Sequence, residues 1–401
     1  MSNLDLIKSI ARSSPTKIVL VVMDGLGGLP RLADNKTELE VARTPNMDSL
    51  AARGTCGLTD PVAPGITPGS GPAHLSLFGY DPVSCNIGRG VLEALGVGFD
   101  LKDTDLAARG NFCTVDEKGV ITDRRAGRLP TEQCAKLCER LNQIALDGVE
   151  LFVIPVKDYR FAVVFRGDGL SDELTESDPQ QTGLPPEPVR ALSPKADKAA
   201  QLANDFIDEA KAVLTGQQPA NMLLLRGFSK HPELPTMGEI YKLRAAAVAT
   251  YPMYRGLAKL VGMEVLSAGV TQEDEMSALE RSYADFDFFY VHIKATDAAG
   301  EDGDFERKVS CIESVDTLIP RITALEPDVL IVTGDHSTPA LLKGHSWHPL
   351  PLLLYSRWCR TDAVSEFSER ACLSGGLGRL SATDVMPLAM ANALKLEKFG
   401  A

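Results

Sequence analysis

The amino-acid sequence predicts an α/β fold in which a mainly parallel sheet, flanked by helices, is interrupted by an inserted α+β domain. Three strongly apolar runs, at residues 17–23, 286–292 and 328–333, predict strands buried on both faces, as in a parallel sheet. Segments with helical periodicity or capping residues separate such runs. The middle of the chain instead has strands with polar breaks. We therefore expect one discontinuous core and one insertion.

The first part of the core begins with the strand at 17–23. Residues 44–54 predict a short helix, with Thr44 as its N-cap and Pro45 in its first turn. A loop around Ser70 follows and leads into a second helix.

The predicted insertion comprises residues 101–215, where strand-like segments interrupted by polar residues replace the long apolar runs. Its expected elements are strands at 111–115 and within 152–165, amphipathic helices at 131–146 and 195–214, and a loop rich in Asp, Glu, Gly and Pro at 170–188.

Strands and helices alternate again after the insertion, so the core is predicted to consist of residues 1–100 and 216–401. Its expected strands lie at 220–225, 245–250, 264–266, 286–292, 328–333 and 350–355. Its expected helices lie at 254–261, from 271 onwards with a capping pattern, at 304–318 and at 382–396.

The composition excludes several classes of protein. The chain of 401 residues carries 54 acidic and 41 basic residues, a net charge of −13, and has no basic run, so neither nucleic acid nor an anionic membrane is an expected partner. The first residues lack the apolar core of a signal peptide, and no apolar window reaches spanning length; a cytoplasmic location is therefore expected. The eight dispersed cysteines predict reduced thiols rather than a metal knuckle.

The loop at residues 66–75 contains the first candidate for chemistry. Two prolines and two glycines surround Ser70 and leave its hydroxyl at a turn that leads into a helix. The N-terminus of a helix favours an anion such as a transferring phosphate. A plain surface loop is the alternative interpretation of such a cluster.

Ionisable residues follow three of the predicted core strands and form the second candidate. Ligands of open parallel sheets bind beyond the carboxyl ends of the strands, where such residues converge. Carboxylates with imidazoles suit Mn, Zn or Fe, and two ions would activate Ser70 and clamp a phosphoryl group. The alternatives are a simple turn at Asp24-Gly25 and structural or surface roles for His74, His231 and His348. The candidates are Asp24, Asp297, Glu301, Asp335, His336 and His345.

Several motifs resemble the alkaline phosphatase superfamily: Val-Met-Asp-Gly at 22–25, Thr-Pro-Asn-Met-Asp-Ser-Leu at 44–50, Thr-Gly-Asp-His-Ser at 333–337 and Gly-His-Ser at 344–346. Within it, Thr-Pro-Gly-Ser-Gly-Pro-Ala-His-Leu at 67–75, Ile-Thr-Asp-Arg-Arg-Ala-Gly-Arg at 121–128 and His-Ile-Lys-Ala-Thr-Asp at 292–297 resemble the archaeal-type cofactor-independent phosphoglycerate mutases. The resemblance covers nearly the whole chain, in the same order.

This resemblance implies a phosphatase-like core that holds two divalent ions and an inserted domain that holds the organic part of the substrate. Ser70 would be the nucleophile that takes the phosphoryl group from one hydroxyl of phosphoglycerate and returns it to the other. The substrate would be a small phosphorylated hydroxy acid. One ion would be held by Asp297, His345 and residue 301, and the other by Asp24, Ser70, Asp335 and His336.

Five residues are expected to bind the substrate. Asp123, Arg124 and Arg128 match the substrate-binding segment of the family, and Arg160 and Lys294 are further candidates of the same kind. Arginine suits a carboxylate or a phosphate through bidentate hydrogen bonds. A basic surface loop is the alternative interpretation of the segment at 121–128.

Glu301 stands where the family has a histidine. A glutamate ligand favours Mn or Mg over Zn, so we expect Mn, with Mg, Co or Zn as alternatives. The departure also leaves other functions open: a homoserine kinase-like phosphotransferase, a phosphomonoesterase, or a catalytically silent metabolite-binding protein.

Overall fold

The computed structural model describes residues 3–85 and 87–400, and the chain divides into two compact units. The first unit contains the described residues up to 85, then 234–254 and 258–400, and the second contains 87–233 with 255–257. In chain order the strands are β1 (Ile18–Met23), β2 (Thr55–Asp60), β3 (Asp105–Val115), β4 (Ile121–Asp123), β5 (Glu150–Lys157), β6 (Arg160–Arg166), β7 (Met222–Lys230), β8 (Ala245–Val248), β9 (Glu264–Val265), β10 (Phe288–Ile293), β11 (Val329–Thr333), β12 (Leu350–Ser356) and β13 (Gly378–Ser381).

The α-helices connect these strands. They are α1 (Asn3–Ile10), α2 (Glu38–Val41), α3 (Pro45–Ala51), α4 (Ser70–Leu77), α5 (Arg89–Gly96), α6 (Thr131–Leu141), α7 (Asp197–Leu214), α8 (Met237–Tyr241), α9 (Pro252–Leu260), α10 (Gln272–Ser282), α11 (Ala295–Asp302), α12 (Phe305–Asp316), α13 (Ile319–Ala324), α14 (Glu369–Cys372) and α15 (Val385–Asn392).

The first unit is built on an eight-stranded sheet with the order β13-β2-β12-β11-β1-β10-β8-β9. All its neighbouring strands are parallel except where β12 pairs with β11 and β2. Every residue of β1 and β10 is buried, as expected for apolar strands covered on both faces. The predicted mainly parallel sheet is confirmed.

The second unit contains a five-stranded antiparallel sheet in which β3 pairs with β4, β6 and β7, and β5 pairs with β6. The helices α6 and α7 bury one face each in the core of this unit. The predicted fold class, an α/β core plus an α+β unit, is confirmed. Because β7 pairs with β3, the second unit extends to residue 233, beyond 215, and the predicted domain boundaries themselves stay a prediction.

Some local expectations were wrong for identifiable reasons. Thr44 is the N-cap residue of α3 and Pro45 occupies its first turn, as expected, but the Thr44 side chain does not make the expected capping hydrogen bond. The helix expected to reach 146 ends at Leu141, and the last helix begins only at Val385, after a 3₁₀ turn. The buried strand β2 was missed because its sequence, Thr-Cys-Gly-Leu-Thr-Asp, has neither an apolar run nor a clean alternation.

Among the described residues, no helix combines the length and the apolar character needed to cross a lipid bilayer.

Candidate active site

Three neighbouring parallel strands end at one edge of the eight-stranded sheet of the first unit. The central strand β1 pairs with β10 and with β11 in parallel register, so the residues that follow these strands meet. The amide of Asp24 donates to the carbonyl of Ile293 at 2.9 Å, and the amide of Gly25 donates to Asp335 Oδ1 at 3.0 Å. The segments that follow these three strands are thus held together by hydrogen bonds from the backbone amides of Asp24 and Gly25.

Ser70 is the first residue of α4, with Gly69 in the N-cap position. The side chain is almost fully buried, and its Oγ lies 3.2 Å from His336 Nε2. The amides of a first helical turn have no acceptor within their helix and attract an anion. The serine hydroxyl therefore stands where a phosphoryl group is electrostatically favoured.

Four atoms converge on one point, and we call them the Asp24 set: Asp24 Oδ1, Ser70 Oγ, Asp335 Oδ2 and His336 Nε2. The two carboxylate oxygens lie 3.2 and 3.1 Å from His336 Nε2. Neither oxygen has a hydrogen-bond partner among the described residues, although both are buried. A ring N–H and the serine O–H are too few donors for the two buried carboxylate oxygens and the hydroxyl oxygen, whereas one divalent cation would accept all four atoms as ligands. The residues of the Asp24 set therefore fit a metal ion.

Thr338 determines how His336 is oriented. The Thr338 hydroxyl donates to Asp297 Oδ1 at 2.7 Å, so its oxygen accepts from His336 Nδ1 at 2.9 Å. With Nδ1 protonated, the neutral ring of His336 presents the lone pair of Nε2 to the Asp24 set. This is the tautomer that a metal ligand requires.

The metal-free site holds its carboxylates ionised. Burial alone would raise the pKa of Asp24, but Lys294, His292 and His336 lower it well below its usual range. Burial and the charge of Asp24 each raise the pKa of Asp335, but His336 and His74 lower it, and the net result is a pKa below the usual value. Both residues are therefore charged at neutral pH, as metal ligands must be.

His336 carries the compensating proton. Burial opposes its charged form, but the attraction of Asp335 and Asp24 raises the pKa of His336 to about 9. A cation that takes Nε2 as a ligand must displace this proton, so binding of metal is expected to weaken as the pH falls.

We expect the affinity for Mn²⁺ to fall roughly tenfold for each pH unit between about pH 8 and 6, the slope for release of one proton. Calorimetric titration of the metal-free protein in two buffers of different ionisation enthalpy measures both the affinity and the protons released. Because Asp24 and Asp335 stay ionised in this range, an affinity that does not change with pH would contradict the assignment of Nε2 as a ligand.

A second group of candidate metal ligands comprises Asp297, His336 and His345, whose ligand atoms lie within 4.8 Å of one another. His345 Nδ1 donates to the carbonyl of Pro68 at 2.9 Å, which leaves the lone pair of Nε2 facing Asp297 Oδ1 at 3.8 Å. His336 stacks on His345 with ring centroids 3.6 Å apart. Since Nε2 of His336 belongs to the Asp24 set, Asp297 Oδ1 and His345 Nε2 remain as the Asp297 set.

Glu301 is the predicted ligand that lies outside both groups. It follows Asp297 by four residues on α11, on the same side of the helix, but its side chain is exposed. Its role as a ligand stays a prediction.

Lys294 lies between the two sets rather than standing free. Its Nζ donates to Asp24 Oδ2 at 3.1 Å and to Asp297 Oδ2 at 2.5 Å. Burial disfavours the charged amine, but these two carboxylates raise its pKa above the usual value. The ammonium group thus neutralises part of the charge of both sets.

Sequence reasoning missed several buried residues around the site. Thr338 and Lys308 hold the loop after β11: Lys308 Nζ, fully buried, donates to the carbonyls of Gly27 and Thr338 at 2.9 Å each. His292 and Tyr254 stack behind Asp24 with ring centroids 3.7 Å apart. Only His292 left a signal in the sequence, as a polar residue at the end of an apolar strand.

The other four predicted substrate residues lie in the second unit. Asp123 accepts from the amides of Arg125 and Gly127 and so fixes its own turn. Arg124 forms a two-pronged pair with the buried carboxylate of Asp178, at 3.0 and 2.6 Å. Arg128 is exposed, at a φ of +54°.

Arg160 lies on β6, next to the strand β3, which contains a further arginine. It pairs with Asn111 of β3, and its guanidinium lies 5.2 Å from the centre of the Tyr159 ring. Arg109, two residues before Asn111 on β3, is buried, and its Nε donates to Asn111 Oδ1 at 3.3 Å. Burial, opposed by Glu93 and assisted by Arg160 and Arg89, lowers the pKa of Arg109 to about 10. Arg109 and Arg160 therefore lie near each other on this sheet, with the carboxylate of Glu93 3.8 Å from Arg109 Nε.

Known protein sequences and solved structures resemble this chain over nearly its whole length. A family model described as 2,3-bisphosphoglycerate-independent phosphoglycerate mutase matches residues 51–221. A probable 2,3-bisphosphoglycerate-independent phosphoglycerate mutase of Thermotoga neapolitana is 53% identical over 397 residues, which covers 98% of each chain. The solved cofactor-independent phosphoglycerate mutase of Thermoplasma acidophilum is 32% identical, with a TM-score of 0.71 over 94% of this chain and 100% of that one. A solved protein of Pyrococcus horikoshii, also 32% identical, has a TM-score of 0.84 over 97% and 100% of the two chains.

An α/β core that gathers a serine hydroxyl, three carboxylates and two imidazoles beyond its parallel strands defines an enzyme with two candidate metal sites. The similar proteins identify one family within this class of enzymes. The chain belongs to the 2,3-bisphosphoglycerate-independent phosphoglycerate mutases, and the family predicted from its motifs is confirmed.

Proposed function

We propose that this protein interconverts 3-phosphoglycerate and 2-phosphoglycerate through a phosphoserine at Ser70, without bisphosphoglycerate. The observation that carries the proposal is the position of Ser70 Oγ, 3.2 Å from His336 Nε2 within the Asp24 set and at the first position of α4. Membership of the mutase family supports this activity over the homoserine kinase, phosphomonoesterase and binding-protein alternatives.

The reaction consists of two transfers in opposite directions. Ser70 Oγ forms a bond to phosphorus as the bond to the C3 oxygen of 3-phosphoglycerate breaks, and the serine proton balances the alkoxide that leaves. The C2 hydroxyl of the bound glycerate then attacks the phosphoserine, and Ser70 Oγ leaves and regains a proton. Since water is a competing acceptor, the full burial of Asp24 and Asp335 around Oγ favours transfer over hydrolysis.

Two divalent cations complete the proposed site. The Asp24 set would hold one ion, and Asp297 and His345, joined by Glu301, would hold the other. Mn²⁺ is the first choice for carboxylate and imidazole ligands, and Mg²⁺, Co²⁺ and Zn²⁺ are alternatives. When bound, such ions lower the pKa of a serine hydroxyl and neutralise the charge of a transferring phosphoryl group.

The arginines of the second unit are the proposed anchors of the substrate's charged groups. Arg160 and Arg128 would bind anionic oxygens, with Arg124 and Asp123 shaping the segment that carries Arg128. Lys294, which bridges Asp24 and Asp297, would contribute a positive charge to binding of the phosphoryl group.

We expect Glu301→Gln to lower the affinity for the Mn²⁺ ion of the Asp297 set roughly tenfold. The substitution removes a charged ligand from a set otherwise limited to Asp297 Oδ1 and His345 Nε2. The neighbouring exposed carboxylate of Asp302, which pairs with Arg307, provides the matched control Asp302→Asn. Calorimetric titration with Mn²⁺ measures both variants. Equal weakening in the two variants, or none in either, would remove Glu301 from the proposed ligands.

The proposed activity is tested with purified protein, 3-phosphoglycerate and Mn²⁺, with enolase consuming the 2-phosphoglycerate that forms. Turnover without added bisphosphoglycerate that disappears with chelator and returns with Mn²⁺ is the expected result. A protein that binds Mn²⁺ and yet forms no 2-phosphoglycerate would contradict the proposal.

A further inference from the structure

His292 lies directly behind one carboxylate of the Asp24 set. It occupies β10 opposite Val22 of β1, and its side chain is fully buried. Its Nε2 lies 3.0 Å from Asp24 Oδ2. Since the ionised carboxylate only accepts, Nε2 must carry the proton and donate. The contact falls on the oxygen that does not belong to the Asp24 set.

Two side chains donate to Asp24 Oδ2, His292 and Lys294, but Lys294 also bonds other groups. Lys294 Nζ also reaches Asp24 Oδ2, at 3.1 Å, while it bonds Asp297 Oδ2 and lies 3.4 Å from the hydroxyl of Tyr254. The Lys294 amine divides its contacts among three groups and the side chain is 29% exposed, whereas the His292 ring is fully buried. His292 is therefore the donor whose position does not depend on Asp297.

Aromatic packing fixes the plane of the His292 ring. Tyr254 stacks on it at 3.7 Å with an interplanar angle of 28°, and the rings of Tyr290 and His74 have centroids 5.9 and 5.5 Å away. Nδ1 of His292 is buried without a hydrogen-bond partner among the described residues. An apolar side chain would avoid the cost of burying that nitrogen but would have no proton to donate to Asp24.

We propose that His292 is a positioning residue which, clamped by Tyr254, holds Asp24 Oδ2 so that Oδ1 faces the metal position beside Ser70. The inference rests on the proposed two-ion site. A carboxylate whose second oxygen is fixed by a hydrogen bond binds a metal with less loss of side-chain freedom, and such outer contacts are worth roughly 10- to 100-fold in metal affinity.

Two substitutions separate this role from simple packing. His292→Leu keeps an apolar volume but removes the donor, and His292→Gln places an amide nitrogen near the former position of Nε2. Tyr290→Phe is the matched control, because it removes a buried hydroxyl without a partner beside His292 and leaves the contact to Asp24 intact. The readouts are calorimetric titration of each metal-free protein with Mn²⁺ and thermal unfolding of the same samples.

We expect His292→Leu to lower the affinity for one Mn²⁺ ion roughly 10- to 100-fold. This should be the same ion whose affinity falls when Asp335 is substituted, and the affinity for the other ion should not change. His292→Gln should restore most of this affinity, and Tyr290→Phe should match the wild type. Wild-type affinity in His292→Leu, or a Gln variant as weak as the Leu variant, would overturn the positioning role and leave the mutase proposal standing. A wild type that binds none of Mn²⁺, Mg²⁺, Co²⁺ and Zn²⁺ would overturn both the positioning role and the mutase proposal.

Discussion

The Ser70→Ala variant is expected to lose roughly 10⁴-fold or more of the mutase turnover, because it removes the atom to which the phosphoryl group is transferred. Binding and charge neutralisation by the remaining residues cannot replace a covalent acceptor. The enolase-coupled assay measures the loss, and the thermal unfolding temperature of the variant shows whether α4 is intact.

Ser76 supplies the control on the same helix. It is buried, and its hydroxyl has no hydrogen-bond partner among the described residues, so Ser76→Ala removes an equivalent group without touching the Asp24 set. We expect this variant to keep near wild-type turnover. If Ser70→Ala retained activity while its fold and metal content were normal, the nucleophile would have to be another residue.

The second large effect is expected from Asp335→Asn, which should reduce turnover on the order of 10³-fold. The substitution is nearly isosteric, and its amide oxygen can still accept from the Gly25 amide, as Asp335 Oδ1 does at 3.0 Å. What changes is Oδ2, which becomes an NH₂ group that cannot ligate a cation. The expected loss of turnover is therefore caused by weaker metal binding and not by a displaced loop after β11.

Thermal stability distinguishes these causes. A ligand that binds only the folded state raises the unfolding temperature, so Mn²⁺ should stabilise the wild type and stabilise Asp335→Asn much less. Asp48→Asn is the control: burial raises the pKa of Asp48, and its carboxylate, outside both ligand sets, accepts from the Phe367 amide. A full Mn²⁺-dependent stabilisation in Asp335→Asn would contradict its assignment as a ligand.

The sequence predicted those parts of the site that depend on strand ends. Asp24, Asp297 and Asp335 each follow an apolar strand, and the parallel register of β1 with β10 and β11 brings them together. The flanking glycines and prolines predicted that Ser70 lies at a turn just before a helix, and the structure places it as the first residue of α4. These inferences need only local pattern and the rule that parallel strands end at a common edge.

The surroundings of the site could not be predicted in the same way. Thr338 joins His336 to Asp297, and Tyr254 stacks on His292, through contacts between segments far apart in the chain. No periodicity marks a threonine or tyrosine for such a role. The strand β7 was expected from its apolar run, but its pairing with β3 in the second unit depends on antiparallel register that the run does not encode.

In the proposed reaction Ser70 carries the phosphoryl group between the two transfers, and this role is tested by trapping the phosphoserine. Wild-type protein with Mn²⁺ is mixed with 3-phosphoglycerate, quenched in acid within a turnover and digested for mass spectrometry. We expect a phosphate on Ser70 that is absent after chelation and absent in Ser70→Ala. Rapid turnover with phosphate found only on another residue, or on none, would contradict it.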